Sequence, residues 1–465
     1  MKKLILFATL LLAFSLVQAK TLYVDASTGS DSTTYDANSS SQPWASLGRA
    51  VWGSTSRTSP NSQQAARAAD VVIVRAGTYT TNQGIGSRYI PIYNPVNSGS
   101  AGSPITFRAE GNVILASPTS SAGEPIVGAY DNSHIVWDGF ILDERNINTT
   151  PDTGPVVIWT SDNITIQNFT IRSVTAGWHD NHNAIRVESS RDSLVRNNTI
   201  YGNRNADGNT NGSAIMTYTS SNITFEYNDI SESNGGIFIK GHNIGPFTIR
   251  NNYIHDIDVA AVTFGTVGSA GVLAYQNIIR DSFIGYQFVG YDSSNPANID
   301  VVNNTIYNCV SGFALMPGTS GYRDIVIANN LVVGGTRAIQ AEDISNIPGT
   351  TFRYNMYYNN GSQARVYYQN YSSSGWQSSF NQDVTGSQFT NPQLSDVSAN
   401  NLTLSSNSPA LNAGVDMLNL LSSGTNASIN IGARVSSNDV IGASGAAPDT
   451  QPTVANSPPS SPFLY

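Results

Sequence analysis

An all-β solenoid of short stacked coils is the architecture this sequence implies. The main observation is a repeat in which an apolar-alternating run leads into an asparagine and then a β-branched or aromatic pair. Examples are Val195-Arg-Asn-Asn198-Thr-Ile, Thr248-Ile-Arg-Asn-Asn252-Tyr-Ile and Val301-Val-Asn-Asn304-Thr-Ile. The asparagine recurs at 198, 228, 252, 277, 304, 330 and 355, with spacings of 30, 24, 25, 27, 26 and 25 residues; Phe140 and Phe169 hold the same place at spacings of 29. A fixed period in this range marks a solenoid, because each unit is too short to bury its own apolar face and must stack on its neighbours. Each unit holds two or three strand-like runs and no helical pattern, so the unit is a β-coil. Cys309 is the only cysteine, so no intrachain disulfide is available and stability must come from stacking. An antiparallel sandwich with asparagine-rich hairpins is the alternative, but hairpins need not hold so steady a period.

Stacked coils lie about 4.8 Å apart, the spacing of strands in a sheet. The recurring asparagine is then expected to form a ladder inside a turn, tolerating left-handed backbone while its amide bonds the asparagines above and below.

In chain order, Met1–Ala19 carries Lys2 and Lys3, an apolar run from Leu4 to Val17 and a small-residue site, the pattern of a secretory leader. No later run reaches the roughly 18 apolar residues of a membrane span, so a soluble, secreted protein is expected, with no membrane partner. Thr21–Thr80 precedes the regular coils. Leu22-Tyr-Val24 and Asp70–Arg75 read as strands, and Ala76–Tyr79 as a turn. Pro43 to Trp52 has apolar positions at helical spacing, and Gln63–Ala69 is a second helical candidate. A short helix over the first coil would serve as the cap a solenoid end needs. The coils are assigned to residues 20–443, and the Ser- and Pro-rich stretch 444–465 to a flexible tail. A monomer is expected.

Charged residues are only 12%, and without Lys2 and Lys3 the balance is 21 basic against 32 acidic residues, a net −11. That excludes nucleic acid as a natural partner. It also argues against a polyanionic ligand unless a local basic patch or a divalent cation bridges it.

The stretch before the regular coils, with Tyr23-Val24, Gly29, Asp31, Pro43-Trp44 and Arg75-Ala-Gly-Thr-Tyr79, resembles the opening of secreted right-handed parallel β-helix proteins of the pectin lyase-like kind. Ser408-Pro-Ala410, Gly414 and Ile441-Gly-Ala443 resemble their closing segments. The resemblance covers about Thr21 to Ala443 and implies a single-stranded right-handed parallel β-helix with a short N-terminal helical cap. It is specific for fold; the family includes polysaccharide lyases, hydrolases and epimerases.

A second strand lies upstream of each asparagine run, aligned as Val156–Trp159, Ile185–Glu188, Ile215–Tyr218 and Ile237–Lys240 in the early coils. Side chains alternate, so the first and third positions form a core and the second and fourth are expected to face solvent. The outward set is Trp159, Arg186 with Glu188, Met216 with Tyr218, and Phe238 with Lys240. The longest loops fall in the same coils, Trp178-His179-Asp180-Asn181-His182 and Arg204–Asn209. Such a cleft suits a sugar chain: Trp and Tyr stack on sugar faces, and Arg and Lys pair with carboxylates.

β-Elimination on a uronate needs its carboxylate neutralised, a base for the adjacent proton and an acid for the leaving oxygen. The assignment is Lys240 as base, Tyr218 or His182 as acid and Arg186 as carboxylate partner, with Trp159, Glu188, His179 and Trp178 binding substrate. Calcium is the candidate ion, with Asp180, Asp207, Asp256 and Asp258 as donors, although no spacing forms a recognised calcium loop. Ile237-Phe-Ile-Lys240 resembles the lysine strand of the chondroitinase B and alginate lyase group. That group's arginine one coil later is absent from Val262-Thr-Phe-Gly265, and its acidic calcium ligands are absent from Gly235-Gly236. The expectation is a secreted lyase on a uronic-acid polysaccharide; a non-catalytic glycan-binding protein and a glycoside hydrolase are the alternatives. Each singled-out residue also has an ordinary structural role open to it: a surface ion pair for Glu188 and Lys240, loop hydrogen bonds for His179 and His182, and turns for His242 and His255.

Overall fold

β-Branched and aromatic side chains at alternate positions give each coil one apolar edge that only another coil can cover. In the computed structural model the coils do stack, as a parallel solenoid. The structure describes residues 19–415, except 82, 118–123, 148–153, 174–180, 266–270, 291–294, 318–320 and 398–400, together with 428, 429 and 432. One coil shows the plan. Ile185–Glu188, Arg191–Arg196 and Thr199–Tyr201 are three strands separated by two tight corners. Each pairs in parallel with its equivalents in the coils before and after. The corners contain Ser189 and Asn197 with φ of 50° and 53°, the left-handed backbone that lets the chain turn sharply. Ile185, Val187, Val195 and Ile200 point inward and are fully buried.

The asparagine ladder is present. Asn198, Asn228, Asn252, Asn277, Asn304 and Asn330 each donate an amide hydrogen to the next asparagine's Oδ1 at 2.9–3.1 Å. The second amide hydrogen reaches a backbone carbonyl, as Asn252 reaches Phe225 at 3.0 Å. Each buried amide is thereby satisfied on both sides. The left-handed residue is not the ladder asparagine, as the sequence reading had it, but the one before it: Asn197, Tyr227, Asn251, Gln276, Asn303, Asn329 and Tyr354 all have φ of 53–56°. That residue turns the corner, leaving its neighbour's side chain pointing in. Phe169 donates its backbone N–H to Asn198 Oδ1 at 2.9 Å, so the ladder begins one coil after it.

The N-terminal cap is the helix Leu47–Trp52, with Ser46 accepting Arg49 N–H at its start and Gly53 left-handed at its end. Two expectations are corrected here. Gln63–Ala69 is not helical but a run of turns. Gln64 and Ala66 are used against the first helix instead: the Gln64 carbonyl accepts Arg49 and Ala66 N–H donates to Ala50 O. Ala76–Tyr79 is not a turn but part of the strand Val71–Thr80, which shifts register between Arg75 and Gly77. At the other end, Ser362–Val366 meets Gln369–Tyr371 in antiparallel fashion, and the helix Ser373–Phe380 packs Trp376 on Phe352. Leu394, Leu404, Ala410, Leu411 and Ala413 pack with Leu331, Val333 and Met356. Among the described residues no helix is long and apolar enough to cross a membrane. The segment expected to be a leader, through Gln18, Ile441–Ala443 and residues 444–465 lie outside the described residues.

Candidate functional site

The register of the first strand row agrees with the sequence alignment residue for residue. Arg186 stands opposite Val157 and Met216, and Glu188 opposite Trp159 and Tyr218. Met216 stands opposite Phe238, and Lys240 follows the end of that strand, with its N–H on Thr217 O at 3.0 Å. Trp159, Glu188, Tyr218 and Lys240 therefore occupy successive rungs on one outer wall. The expectation that the outward positions face solvent is corrected for three of them: Met216 is 1%, Phe238 3% and Lys240 6% exposed, whereas Trp159, Arg186, Glu188 and Tyr218 are half-buried. The cause is the loops. Between the third and first strand rows the chain makes long excursions, from Ile147 to Val156, Arg172 to Ile185 and Tyr201 to Ser213. Of their described residues, Asn181 and Asn211 lie over the wall, on Lys240. In the next two coils the rows run together as single strands, Asp229–Ile239 and Tyr253–Phe264, and in later coils only a few residues separate them.

Lys240 sits under these loops. Its Nζ donates to Asn181 Oδ1 at 2.5 Å and Asn211 Oδ1 at 2.8 Å, one amide from each of two loops. Asn183 ties the loops together by donating to Asn211 O and Ser213 O. Arg186 and Glu188 form an ion pair through Nε at 2.8 Å and Nη2 at 2.7 Å. Arg186 Nη1 is buried and has no hydrogen-bond partner among the described residues, an unmet donor that costs about 1–3 kcal/mol unless something accepts from it. Its guanidinium lies 5.9 Å from the Trp159 ring, and Tyr89 lies against the same ring at 4.1 Å. Tyr218 meets the His242 ring edge-on at 5.8 Å.

His182 is brought to the region but not to the wall. It is 1% exposed, and its Nε2 lies 2.7 Å from Glu144 Oε1 inside the loop layer. Trp178, His179 and Asp180 lie outside the described residues. His255 is on a strand, not a turn, between Asp229 at 3.2 Å and Asp256 at 2.6 Å. Asp258 is paired with Arg204. Among the described residues no group of three or more His, Cys, Asp or Glu side chains could hold a metal ion. Cys309 is buried and bonds weakly to Tyr307 O, and burial pushes its thiol up to about 12.

Sequence reasoning missed three participants. Asn181 and Asn211 are short polar residues in Asn-rich loops, with nothing to single them out. Tyr89 comes from a loop far upstream, and no repeat places it. One available signal was not used: Lys240 is the only lysine from Thr21 to Tyr465, where the same stretch has 19 arginines.

Residues 138–279 match a family described as right handed beta helix region. No curated protein matches the chain. Among solved structures, the pectate lyase Pel9A is similar with TM-score 0.60 at 14% identity, over 90% of this chain and 96% of that one. A rhamnogalacturonan lyase aligns at TM-score 0.44 and 15% identity, over 72% of this chain and 87% of that one. An exopolygalacturonase from Thermotoga maritima aligns at TM-score 0.40 and 12% identity, over 64% of this chain and 82% of that one. What the chain shares with Pel9A is the coil architecture, and its fold is the right-handed parallel β-helix of the pectin lyase-like kind.

Proposed function

We propose that the protein is a polysaccharide lyase that cleaves a uronic-acid-containing chain by β-elimination on the wall from Trp159 to Lys240. The observation that carries this reading is the placement of Lys240. A chain that otherwise uses arginine after Lys20 puts its one lysine beneath the loops, with the ammonium held by two amide oxygens. Arginine keeps its proton in proteins and makes a poor base, whereas an amine can give up its proton and take one back. The lyase Pel9A shares the fold, and that likeness supports the fold alone.

In the proposed reaction Lys240, as the free amine, removes the proton next to the uronate carboxylate. The electron pair left behind forms the new carbon–carbon double bond as the adjacent carbon–oxygen bond breaks. Tyr218, one rung away, gives its proton to the departing sugar oxygen. Arg186 keeps Nε and Nη2 on Glu188 and turns Nη1 to the carboxylate, where charge develops. His182, committed to Glu144 within the loop layer, orders the loop that carries Asn181. Trp159 and Glu188 act by fixing Arg186.

The test is absorbance of the unsaturated product with alginate, pectate and glycosaminoglycans, with and without calcium. Appearance of the band with one polymer, and its loss in Lys240→Ala, is expected. No band with any polymer, or full activity in Lys240→Ala, would discard the mechanism. Saturable binding without product would leave a glycan-binding protein. New reducing ends without the band would mean a hydrolase, for which Glu188, already paired with Arg186, would have to be released.

A further inference from the structure

We infer that the groove is closed at its N-terminal end, so that the protein works on chain termini and releases short fragments. This rests on the lyase reading for its chemistry, but the closure is argued from the fold.

The closing element is the loop 83–92. It comes from the coil before Val127–Tyr130: Tyr93 bridges Val127, and that strand pairs with Val156–Trp159. From two rungs away the loop reaches forward, so that the Tyr89 ring lies 4.1 Å from the Trp159 ring at 39°. One face of Trp159 is thus occupied by the loop. Arg186 lies on the same ring at 5.9 Å. Trp159 is therefore an end wall and not an open platform for another sugar.

The loop is built to hold that position. Glu124 is fully buried, accepts the backbone N–H of Ile85 at 2.8 Å and of Ser87 at 2.7 Å, and pairs with Arg57 at 2.9 Å. Arg57 in turn donates to the carbonyls of Gln83, Ile90 and Pro91. One buried ion pair thus fastens both ends of the loop, which a mobile flap would not need.

The opposite end is different. After Lys240 the side loops stop, because Asp229–Ile239 and Tyr253–Phe264 pass directly from the third strand row to the first. Among the described residues the next rung has Thr263 and Gly265, both small and buried. A chain lying along the wall from Lys240 towards Trp159 must therefore stop at Tyr89. From the Trp159 strand to the Lys240 strand there are three rungs, about 14 Å. That leaves room for a few sugars between the wall and the base. Arg88, stacked 4.9 Å from the Tyr89 ring with its Nε on the Tyr89 hydroxyl at 2.8 Å, places a cation at the closed end. Together with Arg186 Nη1 it suits an acidic terminal sugar.

The experiment uses the full chain with alginate, pectate and glycosaminoglycans, each native and with both termini chemically blocked. Short products from the earliest times, slow loss of viscosity, and a rate lowered about tenfold or more by blocking are expected. Tyr89→Ala, and independently Arg88→Ala at an exposed position, should lengthen the early products and restore cleavage of blocked chains. Both variants are checked for unchanged melting. Early release of long mixed oligomers by the unsubstituted protein, or equal rates on native and blocked chains, overturns the closure. If no polymer is cleaved, the lyase reading fails by itself and binding decides the closure: tight binding of native chains lost on blocking upholds it, and equal binding overturns it. Neither cleavage nor binding of any polymer rejects both.

Discussion

Asp383 Oδ1 accepts the side-chain amide of Asn355 at 3.2 Å, and in doing so ends the ladder that starts at Asn198. The buried carboxyl also accepts Ser387 Oγ at 2.7 Å, Tyr357 OH at 2.9 Å and Trp376 Nε1 at 3.1 Å. Four donors converge on two oxygens. In Asp383→Asn one of those oxygens becomes an NH2 group facing donors, so the variant should lose about 1–3 kcal/mol of stability. Urea unfolding measures it; an unchanged midpoint would mean the ladder needs no terminal acceptor.

A break inside the ladder should cost more. Asn252→Ala removes the acceptor for Asn228 Nδ2 and the donor to Asn277 Oδ1, and leaves a cavity between them. A loss of about 2–4 kcal/mol is expected, since two buried polar groups lose partners together. A matching loss in Asn304→Ala, at another rung, would show that the cost belongs to the ladder and not to one coil.

His255 gives the molecule a pH dependence with a definite sign. Desolvation by burial lowers its pKa, but hydrogen bonds and charge from Asp229 and Asp256 outweigh it and raise the imidazole to about 9. The native protein therefore holds a proton that the unfolded chain releases near pH 6.5. This contribution is complete below about pH 6.5 and is lost as pH rises through about 9, a decline of about 1–3 kcal/mol. His255→Gln should flatten unfolding stability between those limits; an unaltered slope would assign the pH dependence elsewhere.

Glu124→Gln should act at a distance. It leaves Arg57 buried without its counter-charge, at a cost of about 3–5 kcal/mol, and frees the loop that carries Tyr89. Tyr89 should become more accessible to iodination while Trp376, at the far end, keeps its fluorescence. Equal protection of Tyr89 in both proteins would separate the loop from this ion pair.

For the chemistry, Tyr218→Phe should lower kcat by about 10²–10⁴ with little change in KM, as expected for loss of a proton donor. Lys240→Arg should not recover activity, because arginine keeps its proton. Recovery by Lys240→Arg would reduce Lys240 to a charge.

The coil plan was legible because it repeats: a periodic asparagine and alternating apolar residues are local signals, and the register of Arg186, Met216 and Phe238 followed from them. The cap was half legible. Pro43 to Trp52 carries a helix signal that the fold uses, whereas Ala65 and Ala66 are buried in turns, where the hydrogen bond from Ala66 N–H to Ala50 O outweighs helix propensity. The wall was placed, but its exposure was not, because what covers Lys240 is set by Asn181 and Asn211, in loops whose course no local pattern fixes. Tyr89 was invisible for the same reason: its partner Trp159 is 70 residues away and no periodicity links them.

Both ends of the stack carry stoppers, Leu47–Trp52 at one and the reversed Gln369–Tyr371 with Ser373–Phe380 at the other. Among the described residues the parallel stack is thus bounded at both ends. Between the stoppers nothing fixes the number of rungs. A further coil could be spliced in at any corner if it brings one inward amide in step with the rest, and the grip on substrate could then be lengthened without redesigning either terminus.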